Sequence, residues 1–207
     1  MSSNMTTILT IGHSTHSLKE FIRLLQLNAV TAVADIRSVP FSQFRPEFNK
    51  EPLQTALQAN DIEYVFLGVE LGARSKDPSC YENGRVQYRR LAQTELFKNG
   101  LNRVITGAMS HRIALLCAEK EPLACHRSLL VARELEGLGV NVMHIHSDGT
   151  LEPQSQVMAR LLAMYGLEKT DMFRTAKEAV EEACARHEQR IAYVDEESVR
   201  AARGVAE

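Results

Sequence analysis

The chain has 207 residues, 44% hydrophobic and 24% charged, with a formal net charge of −2 at pH 7. That length and composition suit one sizeable α/β-scale domain with an appendage, able to bury a core without metal or disulfide staples. The near-neutral balance excludes a global electrostatic drive onto nucleic acid or an anionic membrane, leaving local patches as the route to such partners.

In chain order, Thr6 to Ile11 (TTILTI) reads as a strand ended by Gly12. A helix follows behind a capping box, Ser17 to Glu20, with Leu18, Phe21, Leu24 and Leu25 on one face. Thr31 to Ile36 is a second strand, and residues 37–49 form a loop broken by Pro40 and Pro46. Lys50 to Ala59 reads as a short helix with Pro52 tolerated in its first turn, and Ile62 to Leu67 as a third strand. A long polar loop, 68–83, and two helical stretches within 85–109 precede a strongly apolar strand, Arg112 to Cys117. After the loop AEKEPLA, a helix is expected from Cys125 to Leu138, stopped by Gly139. Val140 to Ile145 is a fifth strand, Ser147 to Glu152 a turn, and Pro153 to Tyr165 a helix. Strands alternating with helices predict a mainly parallel sheet of about five strands, covered on both faces, over residues 1–168. Residues 169–207 mix charges of both signs with alanine and predict a solvated, partly flexible helical extension with a frayed end.

The polar residues concentrate after the strands. Gly12, His13 and Ser14 follow the first; Asp35 ends the second, ahead of Arg37, Ser42 and Arg45; Arg74 follows the third. Cys117 ends the fourth, followed by Glu119 and the triplet Cys125-His126-Arg127, while His146 and Asp148 follow the fifth. The opposite connections are short and bland. In a parallel sheet this places one site beyond the carboxyl ends of the strands. Asp35, Glu119, His13, Cys125 and His126 are the candidates for catalysis; Ser14, Arg37, Ser42, Arg45, Arg74, Cys117 and Arg127 are the candidates for substrate binding. A thiol at a helix start beside an arginine is expected to ionise readily, and an anion to bind there.

Several chemistries suit such a rim. Asp35 or Glu119 with a histidine would support hydrolase-type acid–base work on a nucleotide-like or nucleic-acid-like anion held by arginines. Arginine outnumbers lysine 17 to 7, which fits oxyanion recognition as well as a bland codon bias. A non-catalytic binding module is the alternative, and a rhodanese-like cysteine sulfurtransferase the next. Against thiol catalysis stand Glu119 and Glu121, and the lack of an arginine six residues after either cysteine. The spacing of Cys117, Cys125 and His126 is not a recognised zinc pattern, so neither metal nor other cofactor is expected. His144 is expected to be a hydrogen-bonded core histidine and His146 to reach the rim. The start, MSSNMTTILTIG, lacks the features of a signal peptide and no apolar run is long enough to span a membrane. The expectation is therefore a cytoplasmic chain with no membrane partner and with Cys80, Cys117, Cys125 and Cys184 reduced.

The segments ILTIGHSTHSLKEFIRLL, AVADIRSVPFSQFRPEFN, IEYVFLGVELGAR, LLCAEKEPLACHRSLLVA and VMHI together resemble the bacterial and archaeal domain-of-unknown-function family 488, over about residues 6–150. The tail RIAYVDE is similar to that of longer members, and Ala73 stands where a second glycine is common. The resemblance implies a Rossmann-like three-layer α/β/α domain. It adds weight to His13, Ser14, Asp35, Arg37, Ser42, Arg45, Cys117, Glu119, Cys125, His126 and Arg127 as site residues, and it implies no mechanism.

Overall fold

A computed structural model describes residues 6–169 and 174–196. Its strands are β1 (Thr7–Gly12), β2 (Ala32–Asp35), β3 (Glu63–Phe66), β4 (Tyr81–Glu82), β5 (Arg85–Val86), β6 (Ile113–Cys117), β7 (Asn141–Ile145) and β8 (Leu151–Pro153). Its helices are α1 (Leu18–Leu27), α2 (Lys50–Gln58), α3 (Gly68–Leu71), α4 (Tyr88–Ala92), α5 (Glu95–Gly107), α6 (Arg133–Gly137), α7 (Gln154–Met164) and α8 (Ala176–Ile191). A π-helical segment, Arg127–Ala132, runs directly into α6.

The main sheet has six strands in the order β3-β2-β6-β1-β7-β8, parallel except for β8. The five parallel strands are those expected from the apolar runs. The sixth comes from the end of the expected turn and the first residue of the expected helix: Leu151–Pro153 folds back antiparallel on β7, an edge pairing too short to leave a sequence pattern. The polar loop 68–83 likewise carries structure, α3 and the first strand of the small β4–β5 hairpin.

Alternation along the strands builds a core on each face. Leu9 and Ile11 of β1, with Ala114 and Leu116 of β6, pack against Phe21, Leu24 and Leu25 of α1 and Leu53 and Leu57 of α2. Ile8 and Leu115 face the other way, towards Leu101 and Val104 of α5, Leu129, Leu130 and Leu135, and Val157 and Leu161 of α7. This is a three-layer, Rossmann-like α/β/α arrangement.

Two local expectations change. Ser17 caps α1 by accepting a hydrogen bond from the Glu20 N–H at 3.2 Å, but the Glu20 carboxylate is paired with Arg23 and does not complete the box. The complete capping box belongs to α8, where Thr175 and Glu178 satisfy each other. Helix α8 is also more than a solvated extension. Ala179, Ala183 and Cys184 sink into the same core as α5 and α7, and His187 Nε2 lies 2.9 Å from the Leu123 carbonyl. Small alanine side chains let the helix approach closely, which its charge pattern conceals. The chain then returns across β5, with the Val86 N–H donating to the Tyr193 carbonyl at 3.0 Å. The frayed end expected beyond this point falls on 197–207, outside the described residues.

Candidate functional site

The sheet order brings three strand ends side by side. Gly12 of β1 pairs in register with Cys117 of β6, and Asp35 of β2 with Leu116. Because β6 is inserted between strands that precede it in sequence, the chain reverses its direction of winding here, and a crevice opens beyond the carboxyl ends. A pocket of about 260 Å³ lies in it, lined by Arg37, Ser38, Arg74, Cys117, Glu119, Cys125, His126 and Tyr193 among others.

Cys117 and Cys125 form a disulfide, contrary to the expectation of reduced thiols throughout; Cys80 and Cys184 are free and buried. Fold geometry, not cysteine count, juxtaposes this pair. A short 3₁₀ turn, Pro122–Ala124, carries the chain from the β6 loop back over the strand end and delivers Cys125 to Cys117. Cys125 itself is extended, and the helix begins one residue later than expected. His126 Nδ1 then lies 3.7 Å from Cys117 Sγ and 3.6 Å from Cys125 Sγ. The Arg127 backbone N–H donates to Cys125 Sγ at 3.4 Å. Burial holds the His126 imidazole down to about 4, and its buried Nε2 meets no hydrogen-bond partner among the described residues.

Asp35 is fully buried and both of its oxygens are occupied. Oδ1 accepts from the Arg37 backbone N–H and Nε, at 3.1 and 2.9 Å; Oδ2 accepts from Arg37 Nη2 at 2.6 Å and from the Tyr64 hydroxyl at 2.8 Å. That geometry makes Asp35 a positioning group for Arg37. Arg37 Nη2 also donates to the Phe48 carbonyl at 2.9 Å, while no hydrogen bond among the described residues takes up Nη1. Arg74 faces the pocket from the other side, its guanidinium 4.5 Å above the Tyr193 ring.

Other predicted site residues do not meet in the pocket. Arg127, expected to bind an anion, is 0% exposed and turned inward, where Nη1 donates to the Glu119 carbonyl and Nη2 to the Lys120 carbonyl. Arg45 pairs with Glu47 and donates to the carbonyls of Thr15 and His16, and Ser42 accepts from the Arg45 N–H at 3.1 Å, so both organise their own loop. His13 stacks on Phe48 with centroids 4.6 Å apart; burial, reinforced by Arg37, pushes its imidazole down to about 4. Ser14 takes a positive φ of 37° at the β1 exit and donates its N–H to the Ala118 carbonyl at 2.8 Å. His144 is the satisfied core histidine expected, between Thr10 and Gln154, and His146 pairs with Glu152 at 2.8 Å. Ser38, one of the polar residues that follow the second strand but not counted among the binding candidates, accepts a hydrogen bond from the Arg74 N–H at 3.0 Å. Tyr193 was missed, the tail similarity being its only signal.

Gly12 makes this convergence sterically feasible. A Cβ there would lie 1.7 Å from the Glu119 carbonyl oxygen and 2.7 Å from Arg127 Nη1. Gly12→Ala is therefore expected to displace the 119–120 loop and lower the urea midpoint by the equivalent of about 1–3 kcal/mol. An unchanged midpoint would show that this loop yields freely.

Among the described residues, no helix is long and apolar enough to cross a membrane. A family model described as Domain of unknown function DUF488 matches residues 17–133. Comparison with curated proteins and with solved structures finds no match.

Proposed function

The chain belongs to that family, Domain of unknown function DUF488, and for it we propose cysteine chemistry on a small anionic substrate held in the strand-end pocket. The observation that carries this reading is the meeting of two sulfurs and one imidazole nitrogen on the wall of a pocket that also holds Arg37. An external thiol opens the bridge: its thiolate displaces one cysteine sulfur, a second thiolate releases the mixed disulfide, and two protein thiols and one external disulfide result. Cys125 is the nucleophile, because the Arg127 N–H at the helix start favours negative charge on its sulfur. It gives its proton to His126 Nδ1, bonds to the electrophilic atom of the substrate and expels a leaving group, which takes that proton. Arg37 and Arg74 hold the anionic end. Acid–base hydrolysis by paired carboxylates has less support, since Asp35 is fully engaged and Glu119 is the carboxylate that lines the pocket.

Alkylation of the reduced chain tests both halves of this reading. Cys125 is expected to react first, and to favour iodoacetate over iodoacetamide by roughly tenfold relative to a free thiol, equivalent to about 1.4 kcal/mol of anion binding. Cys80 and Cys184 serve as slow references; burial pushes the Cys184 thiol up to about 11. Uniformly slow modification of all four cysteines overturns the thiol reading, and equal preference for the two reagents overturns the anionic substrate.

A further inference from the structure

We infer that the reduced form of Cys117 and Cys125, together with His126, binds a divalent zinc-type cation, with its remaining coordination position open to the pocket beside Glu119. The inference rests on the same pocket being the functional site, and it goes beyond thiol reactivity, since cysteines on a metal act as ligands.

Three observations support it. The two Sγ atoms and an imidazole nitrogen of His126 all lie within 4.8 Å of one another. The sulfur-to-Nδ1 distances are 3.7 and 3.6 Å. Tetrahedral zinc, with bonds of about 2.3 Å to sulfur and about 2.0–2.1 Å to nitrogen, requires a sulfur–nitrogen edge of roughly 3.5 Å. Two edges of the coordination polyhedron are therefore already in place, and only the sulfurs must part. Their backbone allows this: the Cα atoms stand 7.3 Å apart, wider than the roughly 4.4–6.8 Å usual across a disulfide. Finally, the imidazole is nine-tenths buried, points Nδ1 at both sulfurs, and leaves that nitrogen free to coordinate as the neutral ring.

Two thiolates would balance the charge of the cation, and two protons leave on binding. Two cysteines and a histidine with one open position form the ligand set of a catalytic rather than a structural zinc site. Glu119 lies two residues after the first ligand and lines the pocket without belonging to the cluster. A cation held by these three side chains with a position open to the pocket would supply Lewis-acid chemistry to an anionic substrate bound there. The disulfide and the metal are mutually exclusive states of the same side chains, so oxidation, with loss of two electrons to an external disulfide, would release the cation.

The full-length chain, reduced with a phosphine and freed of reductant without air, is titrated with Zn²⁺ against a chromophoric chelator and with Co²⁺ by absorption. One ion per chain is expected, with thiolate-to-cobalt charge transfer and tetrahedral d–d bands. The same chain left oxidised is folded and should bind neither ion. Cys117→Ser, Cys125→Ser and His126→Gln should each weaken binding by more than about 100-fold, the upper range for losing even an outer partner of a metal ligand; Cys80→Ser and Glu119→Gln should leave it intact. Zn²⁺ should also protect Cys125 from iodoacetate. Binding that persists in the oxidised chain, octahedral cobalt without thiolate bands, or no binding by the reduced chain overturns the inference. The last result with Cys125 still reactive leaves the thiol reading standing; bound metal with no alkylation in the metal-free form sinks the thiol reading and leaves this inference in place.

Discussion

Arg127→Met is expected to cost about 3 kcal/mol or more, read as a shift of the denaturant midpoint at unchanged slope. Methionine keeps much of the apolar bulk of a side chain that is 0% exposed, but removes the donors to the Glu119 and Lys120 carbonyls. Hydrogen bonds from a charged donor contribute about 1.5–3 kcal/mol each. Burial nevertheless pushes the Arg127 guanidinium down to about 10, and its Nε meets no partner among the described residues, so part of that gain is offset by desolvation. Arg127→Lys, a point charge that cannot span two carbonyls, should fall between methionine and the native residue. A loss below about 1 kcal/mol for methionine would mean that desolvation cancels the bonds. The same substitution frees the segment that carries Glu119 to the pocket, which couples the stability of this loop to the geometry of the site.

The second large effect is acid lability above the usual carboxylate range. His13, His126 and His144 are each pushed down to about 4, in every case first by burial. In the unfolded chain they titrate near the ordinary 6.5, so between about pH 6.5 and 4 the unfolded state binds more protons. Stability is therefore fully present above about 6.5 and falls as pH drops towards 4, by several kcal/mol over the three sites together. Glu121 and Glu152, paired with Arg160, are held below the usual range and add their loss at lower pH. Urea midpoints from pH 7 to 4.5 report the histidine window. A His144→Asn variant should flatten the profile, because that ring is enclosed by Thr10 and Gln154 with no route to solvent. A midpoint independent of pH across this range would contradict the burial argument.

The rim was legible for a specific reason. Apolar runs such as VADI and IALLC mark buried parallel strands, and the polar residues after them must emerge at one end of the sheet. Asp35, Arg37, Arg74, Cys117, Glu119, Cys125 and His126 were all identified this way, and all but Asp35 line the pocket, Asp35 holding Arg37 beside it. His13, Ser42 and Arg45 were identified by the same rule yet belong to a neighbouring loop network, because position after a strand says nothing about which way a side chain turns. Tyr193 lies outside the rule altogether: it arrives on a segment folded back after α8, far along the chain from any parallel strand.

What the amino-acid order determined alone is the alternation of strand and helix, the five parallel strands, and the polar rim after them, since these depend on periodicity and local chain geometry. Tertiary structure decided the partners. The insertion of β6 between β2 and β1 set Cys117 beside Gly12, and the Pro122–Ala124 turn laid Cys125 against it. Which arginine serves the pocket was settled by the nearest available acceptors. Arg127 is consumed by backbone carbonyls inside the loop, while Arg37, braced by Asp35, has one nitrogen that no hydrogen bond among the described residues takes up. A buried charge must be satisfied locally before it can serve a ligand, and that satisfaction depends on distances that only the folded chain defines.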